Sequence, residues 1–293
     1  MNLIIIVIYA LFIYYLYKKS KTISQEKLSN SKPYLWLYWD NIKTNKTPPL
    51  IEICRETVYK HCSKSFNIVL LNKDNIQSYL PEIIDINIDN LIDNLIIAHK
   101  VDIYRIMLLK KYGGLYLDSD IIVMKDLISI IEKLNDYDFV GFGCTGFNCK
   151  YGYGNPSNWL LASRPNTKLM NMILHEQLEI INKNNNNNTN LDYHDIGKNL
   201  IWKSLNYLII TENYEYFHYP NTIDGTRDVN GNWVDSDIIF SNNPIQYDID
   251  INDFFIYVLY YSNINDDIKN MSREELLNKK MNFSKCAKIA LNC

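Results

Sequence analysis

No stretch constrains this chain more than Ala98 to Asp120, AHKVDIYRIMLLKKYGGLYLDSD. Between Val101 and Leu109 every position is apolar or aromatic except Asp102 and Arg105. Those two residues stand at i and i+3 and share one helix face, with His99 a turn earlier on the same side. Lys110 and Lys111 suit the negative end of the helix dipole. Gly113 and Gly114 can stop the helix in a left-handed conformation. Leu115, Tyr116 and Leu117 then form a buried strand whose end delivers Asp118 and Asp120. Side chains two apart on a strand project together. Two carboxylates aimed at one point repel unless a hard divalent cation sits between them. A solvated helix face would carry more charge than Asp102 and Arg105 alone, so the pair reads as a working one rather than a surface ion pair.

The flanking sequence supplies a sheet to hold this unit. Tyr34 to Trp39 (YLWLYW) reads as a buried strand, and Thr47, Pro48 and Pro49 open a helix with Leu50, Val58 and either Ile53 or Cys54 inward. Phe66 to Leu71 is a second strand. Strand, helix, strand in this order is a right-handed crossover in a parallel sheet. Ligands collect at the carboxyl ends of such strands, where Trp39 and Asp118 both fall. Further along, Asp74–Leu80 reads as a short helix, Leu91 as the start of the motif helix, and Ile121–Met124 as a strand. Asp126–Leu134 is helical, Phe139–Phe142 a strand, and the glycine-rich Gly143–Pro156 a loop over the site. Asn158–Ser163 is a strand, and Asn166–Ile181 and Asp195–Leu205 are helices. Asn184–Asn188 reads as an exposed loop. Phe254–Tyr261 is buried strand or helix, and Ser272–Lys279 a capped helix with Glu274 and Glu275 in its first turn.

The pattern A-H-x-x-D-x-x-R, a leucine run and Y-G-G-L-Y-L-D-S-D resembles the signature of glycosyltransferases with a DXD sugar-binding region. These include the capsular-polysaccharide-synthesis-like enzymes, related mannosyl- and galactosyltransferases and the clostridial glucosylating toxins. The resemblance runs from about Pro33 to about Ser163. It implies an α/β, GT-A type Rossmann-like fold, with a mostly parallel central sheet flanked by helices. It implies that Asp118 and Asp120 hold Mn²⁺ or Mg²⁺ and the donor diphosphate, Asp120 as the direct ligand and Asp118 toward the ribose or sugar. Asp102 and Arg105 then face the donor sugar and nucleotide, Trp39 packs on the base, and Asn158 approaches the sugar. Many such enzymes draw a third metal ligand, often a His, from the C-terminal half. His218 is the candidate, although a lone His beside Tyr219 and Pro220 is more often structural. Gly197 stands where relatives often place Gly-Pro, with Lys198 in place of the proline.

The implied activity is hexose transfer from a UDP- or GDP-sugar to a glycan, lipid or protein hydroxyl, with retention of configuration. An inverting enzyme would need a carboxylate base near the acceptor, and spacing does not choose between Asp195 and Asp224. A nucleotidyltransferase could use the same carboxylates, but the chain lacks a Lys- or Arg-bearing glycine loop for phosphates. A catalytically silent sugar-nucleotide-binding protein of the same fold is the other alternative. It would tolerate loss of the acidic pair, which is intact here.

Leu3 to Tyr17 (LIIIVIYALFIYYLY) is continuously apolar or aromatic and precedes Lys18, Lys19 and Lys21. It falls short of the ~20 residues of a usual spanning helix, though terminal tyrosines sit well in the interface. With no charge before it and no small-residue cleavage site after it, it reads as an uncleaved single-pass membrane anchor. The expected organisation is an anchor helix over 1–20, a polar linker over 21–32 and a catalytic domain over 33–293. Lysines after the segment favour a cytoplasmic catalytic domain, a lumenal one being the rival. A formal charge of −3 gives no basic footprint for nucleic acid. The cysteines at 54, 62, 144, 149, 286 and 293 form no C-x-x-C pair or zinc spacing and read as free thiols.

Overall fold

The computed structural model describes residues 32–41, 46–81, 92, 95–143, 155–187 (backbone only from 185) and 191–292. The expected anchor, nearly all of the linker, Cys144, Cys149 and most of the 143–156 loop lie outside the described residues. Among the described residues no helix is long and apolar enough to cross a membrane.

β1 (Tyr34–Tyr38), α1 (Pro49–Cys62) and β2 (Asn67–Leu71) form the expected crossover unit. β1 and β2 pair in parallel from Tyr34 opposite Asn67 to Tyr38 opposite Leu71. Pro49 opens α1, where its missing N–H costs nothing, and Leu50, Ile53, Cys54, Val58 and Cys62 are buried. Cys54, Cys62 and Cys286 are free and buried. After α2 (Ile76–Tyr79) comes the motif helix, α3 (Ile97–Tyr112), beginning at Ile97 rather than Leu91 because Ile96 is extended. Every residue from Asp102 to Leu109 is buried, the two charged ones included. Gly113 and Gly114 follow with φ of 67° and 95°. A β-carbon on Gly114 would collide with the Tyr34 carbonyl oxygen, so glycine lets β3 (Gly114–Leu117) lie against β1. That pairing is parallel, with Leu35 opposite Leu115.

β4 (Ile121–Val123), α4 (Ile128–Glu132), β5 (Phe139–Gly143), β6 (Ser157–Ser163), α5 (Lys168–Asn187) and α6 (Lys198–Glu212) come next. They are followed by β7 (Phe217–Pro220), α7 (Ser236–Ile239), β8 (Ile256–Val258), α8 (Asp266–Lys269), α9 (Arg273–Asn278) and α10 (Asn282–Leu291). The central sheet has the order β2-β1-β3-β6-β5-β7. β6 runs antiparallel to both β3 and β5, and the other pairs are parallel, so the sheet is mostly parallel as expected. Alternation along the strands splits the core. Trp36, Tyr116, Phe139 and Leu161 face α3, α5 and α6. Leu35, Leu37, Leu115, Leu117 and Val140 face the opposite way, toward Ile121, Val123 and Ile256.

The strand expected over Ile121–Met124 is present as β4, while the expectation for the asparagine run needs correction. The strand after Asp120 leaves the central sheet, and β4 pairs antiparallel with β8 in a separate two-stranded ribbon. The asparagine run expected as a loop from Asn184 stays helical to Asn187. Asn costs less than ~0.7 kcal/mol per helical position, and adding to an existing helix avoids the nucleation penalty.

Candidate active site

Asp118 sits just past the carboxyl end of β3, where its N–H donates to the Trp159 carbonyl at 2.8 Å. The chain then turns, fixed by Ser119 Oγ donating to the Tyr38 carbonyl at 2.9 Å. That turn presents both Asp118 and Asp120, partly open, to a cavity of about 430 Å³. Trp39, Asp102, Arg105 and Asn158 line the same cavity. Six of the seven residues singled out from the sequence as site candidates therefore meet in one place.

Arg105 is the hub. Its Nε lies 3.4 Å from Asp102 Oδ1 and its Nη2 lies 3.2 Å from Asp118 Oδ1. Nη1 donates to the Asn158 carbonyl, and the guanidinium covers the Tyr116 ring at 4.8 Å. Asn158 Nδ2 in turn donates to Asp102 Oδ1 at 2.9 Å. Asp102 and Arg105 are 4% and 5% exposed, which disposes of a solvated surface ion pair. Burial works against the Arg105 charge, but Asp118 and Asp102 outweigh it and raise its pKa. Burial raises the Asp102 carboxyl, with Arg105 and Asn158 opposing. Asp118 is pushed up to about 7, by burial first and then by the Asp120 and Asp102 charges, against Arg105. Asp120 is also raised by burial, partly offset by the Tyr261 N–H that donates to its Oδ2 at 2.7 Å. Crowded carboxylates with one guanidinium leave this end of the cavity short of positive charge.

Trp39 Nε1 donates to Asn41 Oδ1 at 3.0 Å, and its ring meets Tyr261 edge-on at 5.0 Å. His99 is buried with Nε2 3.2 Å from the Asp192 carbonyl. His218 does not join the group. It lies on β7 with Nε2 3.1 Å from the Gly143 carbonyl and is absent from the cavity lining. Among the described residues no cluster of three His, Cys, Asp or Glu could hold a metal. Asp224 is fully buried and closed to an acceptor, while Asp195 Oδ2 accepts the Asp192 N–H at 2.9 Å.

Sequence reasoning missed Tyr193, Tyr261 and Ser262, which also line the cavity. Tyr261 lies 141 residues beyond Asp120 and arrives through the β4–β8 ribbon. No local spacing announces a contact of that range.

A cavity at the carboxyl end of a mostly parallel sheet, where α/β proteins hold their ligands, here brings together paired carboxylates and a buried arginine. Residues 9–218 match the model of the family described as capsular polysaccharide synthesis protein, and the chain belongs to that family. It is similar to an uncharacterized glycosyltransferase, L373, of Acanthamoeba polyphaga mimivirus, at 35% identity over 78 residues. That match spans 27% of this chain and 28% of the relative, well short of two thirds of the relative's length. These similarities support a place in the glycosyltransferase superfamily. Among solved structures, the PaToxG glycosyltransferase superposes with a TM-score of 0.45 and 16% identity, over 67% of this chain and 76% of that one. A glycosyltransferase involved in the glycosylation of the major capsid of PBCV-1 gives 0.39 and 12%, over 83% and 95%.

Proposed function

We propose that this chain is a metal-dependent glycosyltransferase that moves a hexose from a UDP- or GDP-sugar to a hydroxyl of a glycan, lipid or protein, with retention. The observation that carries the reading is the convergence of Asp118, Asp120, Arg105, Asp102 and Asn158 on one cavity. In this reading Trp39 packs against the nucleotide base at one end. Asp102 and Asn158, tied together at 2.9 Å, meet the hexose at the other. Arg105 faces the developing charge on the leaving diphosphate from a buried position, where electrostatic attraction is less screened than in water.

The donor set fits Mn²⁺ or Mg²⁺. Asp118 and Asp120 offer hard oxygens at the rim of a cavity large enough for substrate oxygens and water to complete the coordination. A cation there would supply neutralising charge to the diphosphate as it leaves. His218 as a further ligand has no support from its place on β7. Attachment to a membrane through Leu3–Tyr17, with the catalytic domain cytoplasmic, completes the proposal.

The test is donor hydrolysis across a panel of sugar nucleotides with Mn²⁺, on the wild type and Asp120→Ala. Metal-dependent turnover that disappears in the variant supports the reading. Turnover that ignores both the metal and the substitution refutes it.

A further inference from the structure

The turn from Asp192 to Gly197, between α5 and α6, is fastened to the motif helix at three points. His99 Nε2 lies 3.2 Å from the Asp192 carbonyl. The buried Gln177 on α5 donates from one Nε2 to two carbonyls, Asp102 at 3.0 Å and Ile196 at 2.8 Å. At Gly197 the backbone comes so close that a β-carbon would lie 2.5 Å from Asp102 Oδ2 and 3.0 Å from Asn158 Nδ2. Within the turn, Asp195 Oδ2 and the His194 carbonyl accept backbone N–H groups from Asp192 and Gly197. A turn held this way presents its side chains at fixed positions.

The side chain it presents to the cavity is Tyr193. The residue is 53% exposed, its ring meets His194 edge-on at 4.9 Å, and its hydroxyl makes no hydrogen bond to any described residue. Burial raises its phenol, and the carboxylates acting on it are, in order, Asp102, Asp118 and Asp120. Tyr261 feels Asp120 and touches Trp39. Tyr193 is carried by the same turn whose Gly197 backbone abuts Asp102 Oδ2, which places it on the Asp102 side of the cavity. An aromatic ring with a spare hydroxyl beside a carboxylate suits a pyranose, whose apolar face packs on the ring while its hydroxyls find the phenol and the acid.

We propose that Tyr193 is a specificity-determining residue that contacts the transferred hexose of the donor and, with Asp102, selects among hexose epimers. The inference rests on the glycosyltransferase reading of the same cavity. The phenol tells an equatorial from an axial hydroxyl because the pinned turn cannot follow a misplaced partner.

The test compares the wild type with Tyr193→Phe and Tyr193→Ala in Mn²⁺, measuring affinity for the nucleoside diphosphate alone and KM and kcat for its glucose, galactose and mannose conjugates. Tyr193→Phe should raise KM for the preferred conjugate about tenfold, the worth of one hydrogen bond to a substrate hydroxyl. It should leave nucleoside diphosphate affinity unchanged and narrow the preference between epimers. Tyr193→Ala should raise KM for all three conjugates. An unchanged epimer preference in both variants overturns the proposal, as does an equal loss of affinity for the bare diphosphate and its conjugates, the mark of a structural role. A wild type that binds no sugar nucleotide removes the glycosyltransferase reading as well. A wild type that turns over donor with Tyr193 irrelevant removes this inference alone.

Discussion

Arg105 shows how much can hang on one side chain. Its guanidinium reaches Asp102, Asp118 and the Asn158 carbonyl at once and covers the Tyr116 ring. A planar fork satisfies this set, whereas a lysine ammonium is a point charge on a flexible stem. Arg105→Lys should therefore keep the formal charge yet lower donor turnover roughly 100-fold, the scale of losing one oriented charge-stabilising group. The check is kcat with the chosen donor, with thermal unfolding to confirm folding. Asp120→Asn addresses the other side of the site. It keeps an acceptor for the Tyr261 N–H, now met at 2.7 Å, but removes the charge a cation needs. Turnover should fall at least as far, and added Mn²⁺ should no longer raise the melting temperature, because stabilisation by a ligand requires that the folded state bind it.

Elements carry the next layer. Gly197 immediately precedes α6, and a β-carbon there would press on Asp102 Oδ2 and Asn158 Nδ2. Gly197→Ala should displace the start of α6 or the Asp102 carboxyl, costing ~1–3 kcal/mol as overpacking does. Donor KM should rise with it. Ser272→Ala is the contrasting case. Ser272 accepts the Glu275 N–H at 3.2 Å and Glu275 answers at 2.8 Å, a complete capping box on α9. Its loss should cost ~1 kcal/mol with activity unchanged, since no residue of α9 lines the cavity. What the sequence disclosed follows the same division. The capping box, the α1 start and the Gly113–Gly114 break were readable because their causes lie within a few residues. Asp102 and Arg105 were readable because helix periodicity puts them on one face, and Asp118 and Asp120 because they close a strand, although a turn rather than strand alternation brings their side chains to the cavity. Asn158 and Trp39 came from the family resemblance, and both reached the cavity. Tyr193 and Tyr261 were invisible because their positions depend on Gln177 bridging two elements and on β4 finding β8. The departure of β4 from the central sheet was hidden for that reason too: an apolar triplet does not name its partner strand.

At the scale of the whole molecule, a buried carboxyl lies in the segment that backbone hydrogen bonds tie to the β8 region. Asp224 is fully buried, with Oδ1 accepting the Thr226 N–H at 2.8 Å and hydroxyl at 2.6 Å, while Oδ2 has no partner among the described residues. Around Asp224 the chain is tied to the β8 region, with Phe255 N–H donating to the Ile223 carbonyl and Val258 N–H to that of Asp224. Burial pushes the Asp224 pKa up to about 7, against the Thr226 hydrogen bonds and the Arg227 charge. Because the folded value lies above the ordinary carboxylate value of about 4, the folded state holds the proton more tightly than the unfolded chain. This contribution to stability is complete below pH ~4 and is lost as pH rises through about 7, at a cost on the order of 4 kcal/mol. Asp224→Asn keeps the Oδ1 acceptor and cannot ionise. It should match the wild type at pH 4.5 and melt several degrees higher at pH 8. The other raised carboxyls, Asp118 and Asp120 among them, titrate in both proteins and cancel in the difference. Thermal unfolding at the two pH values decides it: a variant destabilised equally at both would mean that the amide fits the site poorly and that ionisation of Asp224 has no part in the stability of this junction.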